Sequence, residues 1–190
     1  MRRLLVIGCL LLAAAGCSEP PQKELDQAQA AIDGARTAGA DRYAATEFMA
    51  ALSSLDKARA AVDQRDYRQA LNYALDSRQR AADATRLAAE GKARARSDVE
   101  ALYGEAATRA NQLQTALRTA ETSGTPAKAL KPGHAALADA RASLQKASAE
   151  ISAGNYGEAT KLLTEVRGKL DAAVTEVQNI PRSPARRRKG

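Results

Sequence analysis

The chain has 190 residues, 45% hydrophobic and 27% charged, a composition that excludes disorder throughout. Alanine fills 45 positions against one Phe, five Tyr and no Trp, so a sheet core built from β-branched and aromatic side chains is excluded in favour of an all-α fold. One His and two Cys exclude most metal and thiol chemistry, so no cofactor, no metal site and no enzymatic activity are expected. The net charge of +7 sits at the ends: without Arg2, Arg3 and the five cations after Ile180, 22 basic residues face 22 acidic ones, which argues against nucleic acid as a partner.

The first segment reads as an export signal. Met1-Arg2-Arg3 is a positive start, Leu4 to Ala15 an apolar run, and Ala14-Ala15-Gly16-Cys17 a cluster of small residues before a cysteine. As a helix the apolar run would span about 18 Å, short of a hydrocarbon layer of roughly 30 Å. The segment resembles the lipobox of bacterial lipoprotein signals, with Ala14 where the commonest pattern has Leu. That resemblance implies removal of residues 1–16 and lipidation of Cys17, with a diacylglycerol thioether and an N-acyl chain as the membrane anchor. Ordinary secretory cleavage near Ala15 is the plainer alternative, and it would leave Cys17 as a lone thiol. Ser18 stands where lipoproteins retained in the inner membrane have Asp, so the resemblance implies the periplasmic side of the outer membrane. Residues 17–22 form a tether whose five connecting residues reach about 17 Å, which would hold the folded part close to the bilayer.

Helical periodicity begins with Leu25, Ala28, Ile32 and Ala35, closed by Gly39, with Asp41 as a candidate cap for the next helix. Phe48, Leu52, Leu55, Ala58 and Val62 mark the second helix, and Asp66 caps a third that starts at Tyr67. From Tyr67 no proline intervenes before Pro126, and the stripe returns at Val99, Leu102, Ala106, Ala110, Leu113 and Leu117. One continuous helix to about Thr122 is expected, a rod of about 84 Å at ~1.5 Å per residue. Its weak points are Gly91, Gly104 and a potential capping box, Ser97-x-x-Glu100. Ser123-Gly124-Thr125-Pro126 ends it, and Lys131-Pro132-Gly133 predicts a second break. Two near-heptad stripes follow: Leu137, Ala140, Leu144, Ala147, Ile151, then Tyr156, Ala159, Leu163, Val166, Leu170, Ala173, Val177.

The chain also repeats itself at an offset of 89 residues. Ser54-Leu55-x-Lys57-Ala58, Tyr67, Ala70 and Arg78 recur as Ser143-Leu144-x-Lys146-Ala147, Tyr156, Ala159 and Arg167. The turns correspond too, Gln64-Arg65-Asp66 with Ala153-Gly154-Asn155, where Gly154 can end one helix and Asn155 cap the next. The expected architecture is an elongated antiparallel bundle of helical hairpin repeats sharing one long central helix. Its units are 23–97 and 98–180, followed by a disordered basic tail over 181–190.

Leu25 to Ala95 resembles the domain-of-unknown-function family DUF4398, whose pattern runs Tyr-Ala-Pro, Leu-x-x-Ala, Asp-Tyr-x-x-Ala. The matching pieces are Tyr43-Ala44, Leu55-Asp56-Lys57-Ala58 and Asp66-Tyr67-Arg68-Gln69-Ala70, with Ala45 in place of the proline. That family is found in short bacterial lipoproteins, so the resemblance implies location and fold, with no established activity.

No residue cluster carries chemistry. His134 lacks the orienting group, nucleophile or fellow ligands that acid–base or zinc chemistry needs. Tyr43, Tyr67, Tyr73, Tyr103 and Tyr156 are either a recognition face or packing across helix joints, with packing the simpler reading. Arg78, Arg80, Arg86, Lys92, Arg94 and Arg96 lie among Asp76, Asp83 and Glu90, as on a solvated face laced with ion pairs. Arg186, Arg187, Arg188 and Lys189 are candidates for contact with anionic lipid or wall polymer. The expectation is therefore a lipid-anchored structural or adaptor bundle of the cell envelope. Its partners are the membrane through Cys17, an envelope protein and, by self-association, further copies of the chain; the alternative is a tetratricopeptide-like module for a peptide or glycan.

Overall fold

The computed structural model describes residues 19–180, and among them the fold is an all-α bundle of six helices with no strand. The helices are α1 (Gln22–Thr37), α2 (Ala40–Tyr43), α3 (Ala45–Asp63), α4 (Tyr67–Thr122), α5 (Ala127–Ser152) and α6 (Tyr156–Gln178). The long central helix α4 has 56 residues and runs unbroken past Gly91, Ser97 and Gly104. Side-chain pairs one turn apart, Arg86 with Glu90 and Arg96 with Glu100, each at 2.8 Å, support that stretch. The chain divides into two compact units between Lys92 and Ala93.

In unit 1, α1, α3 and the first part of α4 pack around Leu25, Ile32, Phe48 and Leu55, filled in by nine buried alanines. Arg59 donates to Gln29 at 2.8 Å and the Arg36 guanidinium lies 5.5 Å above the Phe48 ring, so α1 and α3 run antiparallel. Ser77 donates to the Ala51 carbonyl at 2.8 Å, and the Lys57 ammonium lies 6.0 Å from the Tyr73 ring, so α3 and α4 are antiparallel too. The expected stripe on α3 is rotated slightly: Ala51, Ser54 and Ala61 are buried, whereas Leu52 and Val62 are half-buried. The smaller residues take the positions nearest the partner helices, because α4 opposes them with another row of small side chains.

In unit 2, the second part of α4 pairs antiparallel with α5, as Gln114 with Arg141 and Glu121 with His134, both at 2.9 Å. It runs parallel to α6, as Glu105 with Arg167 at 2.9 Å and Arg109 with Asp171 at 3.0 Å. Its buried residues include Val99, Leu113, Leu117, Leu130, Leu137, Leu144, Leu163, Val166, Leu170 and Val177.

The 89-residue repeat is a repeat of burial. Buried Ala70, Ala74, Ser77, Ala81, Ala84 and Ala88 on α4 become buried Ala159, Leu163, Val166, Leu170, Ala173 and Val177 on α6. The repeated arginine does the same work in both units: Arg78 donates to Gln27 at 2.8 Å and Arg167 to Glu105 at 2.9 Å, each tying the unit's last helix to its first.

Three expectations need correction. Lys131-Pro132-Gly133 does not break the chain: α5 starts at Ala127 and carries Pro132 in its second turn, so only one ladder hydrogen bond is lost. Gly133 is needed there because a Cβ would lie 2.9 Å from both Leu117 Cδ2 and Val177 Cγ2. Asp41 does not cap a helix; Gly39, at φ 85°, starts the short α2, and Ala44 (φ −144°, ψ 42°) separates it from α3. Ala45, at the pattern's proline position, is the first residue of α3, the site where proline is most readily accepted. Asn155 stands at the N-cap of α6 without a side-chain cap bond, its amide nitrogen donating to Glu150 at 2.9 Å, whereas Asp66 does cap α4, accepting from the Gln69 N–H at 3.0 Å.

Candidate interaction surfaces

Unit 2 carries a groove of about 930 Å³ between α4 and α6. Thr108, Gln112, Thr115 and Thr119 line it from α4, and Asp171, Thr175 and Gln178 from α6, with Ile180 at one end. The Thr108, Thr115, Thr119 and Thr175 hydroxyls each donate to the carbonyl four residues back at 2.9 Å. Their donor capacity is spent inside the helices, which leaves methyl groups, the amides of Asn111, Gln112 and Gln178, and the Arg109–Asp171 pair to meet a ligand.

Unit 1 carries a polar seam between α3 and α4. Ser54 Oγ donates to Asp76 Oδ2 at 2.6 Å, Arg80 Nε donates to the same oxygen at 2.8 Å, and Arg80 also lies 3.7 Å from Glu47. The Ser54 hydroxyl, followed by Arg80, holds the Asp76 carboxyl below its ordinary value. The Asp76 carboxylate in turn raises the Arg80 guanidinium. Among the described residues Ser54 and Asp76 bond within this seam, whose chemistry is that of a clasp between two helices. The second copy does not reproduce it: Glu165, at the position of Asp76, pairs instead with Lys169 on its own helix at 2.6 Å.

Three of the tyrosines, Tyr43, Tyr67 and Tyr156, stand at helix ends, and Tyr73 and Tyr103 lie within α4. Tyr156 is buried at the α5–α6 turn, and Tyr43, Tyr67, Tyr73 and Tyr103 are half-buried. The Tyr43 carbonyl oxygen lies 2.8 Å from where a Cβ on Gly91 would be, so the glycine in mid-helix makes room for the α2–α3 junction. His134 is half exposed and meets only Glu121. Of the cations in the middle of α4, Arg78, Arg80, Arg86 and Arg96 have partners, at Gln27, Asp76, Glu90 and Glu100. Among the described residues no group of three or more His, Cys, Asp or Glu could hold a metal ion, and no helix is long and apolar enough to cross a membrane. Cys17 and the cations Arg186, Arg187, Arg188 and Lys189 lie outside the described residues.

The seam and the groove escape sequence reading for different reasons. Ser54 and Asp76 lie 22 residues apart and meet only once the helices are aligned; the spacing of Asp76 and Arg80 is the one local signal. The groove is a shape between two helices whose facing residues, such as Arg109 and Asp171, lie far apart in sequence.

Residues 23–99 match the model of the family described as Domain of unknown function (DUF4398). The match covers α1 to α3 and the part of α4 that follows, under half of the chain. It therefore contains the polar seam, the Gly91–Tyr43 contact and the α3–α4 turn, and leaves out the groove. No curated protein and no solved structure matches the chain.

Proposed function

We propose that this chain is a cell-envelope lipoprotein, anchored through Cys17 to the periplasmic face of the outer membrane, whose helical bundle is a non-enzymatic structural or adaptor element. The location rests on the lipobox-like Ala14-Ala15-Gly16-Cys17 and on Ser18. The observation that carries the adaptor role is the burial of the aromatic rings: Tyr156 is buried and the other four tyrosines are half-buried against their own units, so the units use them for their own cohesion and offer helix surfaces to partners. Alanine-rich stripes bury little area per residue, which gives association with a protein partner or with further copies of the chain a stabilising effect.

One observation favours a second reading. The groove in unit 2 presents amides and an ion pair along helix α4, a surface on which an extended peptide or a glycan could find hydrogen-bond partners.

Crosslinking in intact cells followed by affinity purification tests the first reading, comparing the full chain, Cys17→Ala and a truncation after Ile180. A defined protein partner that is lost in Cys17→Ala and kept in the truncation is the expected result. Recovery of membrane lipid or wall material alone, lost on truncation, would make the cationic tail the contacting element and refute the adaptor role of the bundle.

A further inference from the structure

The two hairpin turns hold the same place in the repeat, yet their left-handed residues differ. Gly154 has φ 79°, a conformation that glycine adopts without steric penalty. Arg65, 89 positions earlier, has φ 61° and is the single non-glycine residue with positive φ among the described residues. Where the turn answers only to its backbone, position 154 carries glycine; position 65 carries a guanidinium against that preference.

The direction of the helices places this turn. Because α1 is antiparallel to α3 and α3 to α4, the first residue of α1 and the α3–α4 turn lie at the same end of unit 1. Through the pairs that align α1 with α3 (Gln29 with Arg59, Arg36 with Phe48) and α3 with α4 (Ala51 with Ser77, Lys57 with Tyr73), Gln22 is level with the α3–α4 turn. Cys17 precedes Gln22 by five residues, a reach of at most about 17 Å. Asp63, Gln64, Arg65, Asp66 and Arg68 are all exposed. Asp66 spends a carboxylate oxygen on the Gln69 N–H.

We propose that the α3–α4 turn is the bilayer-facing tip of unit 1, with Arg65, seconded by Arg68 and Lys23, contacting the phosphates of lipid headgroups around the chain's own anchor. The proposal rests on lipidation of Cys17. A guanidinium suits the contact because its planar fork bonds two phosphate oxygens at once and stays charged at any physiological pH. With the turn level with Gln22, the tether's reach sets the turn's greatest distance from the headgroups, and the long arginine side chains shorten it further.

The experiment uses the full lipidated chain in vesicles of phosphatidylethanolamine and phosphatidylglycerol that carry headgroup spin labels. A fluorophore is attached at Gln64→Cys or, as the control at the opposite end of unit 1, at Arg42→Cys. The expected result is quenching at position 64 several-fold stronger than at position 42. Arg65→Gly should reduce that quenching by half or more while leaving the melting temperature at or above the parent value, and Arg65→Lys should retain most of it. Flotation with the vesicles but equal quenching at the two positions, or quenching unaltered in Arg65→Gly, overturns the proposal alone. Failure of the chain to float with the vesicles overturns the anchor reading and this proposal with it.

Discussion

Units 1 and 2 bury the same positions of the repeat with different side chains. On the last helix of unit 1 the buried row is Ala70, Ala74, Ser77, Ala81, Ala84, Ala88; on that of unit 2 it is Ala159, Leu163, Val166, Leu170, Ala173, Val177. Burial register is a property of helix geometry, and the spacing of the helices then follows from what fills it: small side chains admit close backbones, leucines hold them apart. Unit 1 accordingly adds polar bonds that close approach makes available, Ser77 to the Ala51 carbonyl and Ser54 to Asp76, at positions where unit 2 has Val166 and an α6 carboxylate turned to its own helix. Close packing with few methylene groups and a polar clasp is one solution; a leucine core is the other.

The comparison is broken most strongly by exchanging residues at one pair of equivalent sites. Leu170→Ala leaves a cavity in a fully buried site and is expected to destabilise unit 2 by about 2–5 kcal/mol in urea denaturation. Ala81→Leu, its mirror image, should cost unit 1 about 1–3 kcal/mol because the close helices have no room for three more carbons. Unit-resolved hydrogen exchange assigns each loss to its unit; if Ala81→Leu stabilises unit 1, the close-packing account fails. Next come two glycines of the same helix. Gly91→Ala drives a Cβ to 2.8 Å from a backbone oxygen and should destabilise by about 1–3 kcal/mol, against the usual preference for alanine. Gly104→Ala meets nothing within 4 Å and should stabilise by about 0.5–1 kcal/mol, so thermal melts of the two variants should move in opposite directions. The clasp gives an effect of similar size. Ser54→Ala should cost about 1 kcal/mol, at the low end for a bond to a charged group because the Asp76 side chain is 44% exposed. Asp76 is held below its ordinary value of 3.8 in the folded chain, so its stabilisation is complete above that value and is lost as pH falls through the lower folded one. The gap between parent and Ser54→Ala should therefore be full at pH 7 and begin to shrink only below 3.8, closing as pH falls through the lower folded value, as followed by denaturation at each pH.

What the sequence discloses follows the same division between local and distant. The stripe Leu25, Ala28, Ile32, Ala35, the unbroken run from Tyr67 to Thr122 and the turn at Asp66 are set by neighbours within a few residues, and each stands as expected. Pro132 and Gly133 read as a break because both disfavour helix interiors, but Pro132 falls in the second turn of α5 and Gly133 faces Leu117 and Val177, which only the fold brings against it. Likewise Gly91 looks like a flaw in a helix until Tyr43 is seen against it. Of the candidate site residues, Tyr156 resolves into packing and Arg80, Arg86 and Arg96 into ion pairs, while the turn at Arg65 gains interest only from its backbone angle, which no residue spacing announces.

The alanine seam of unit 1 also sets how the unit responds to temperature. The heat-capacity increment of unfolding grows with the apolar surface newly hydrated, and a row of methyl groups hydrates far less of it than a row of isobutyl groups. Unit 1 should therefore have the flatter stability curve, losing little on cooling, while unit 2 owes more of its stability to a term that weakens in the cold.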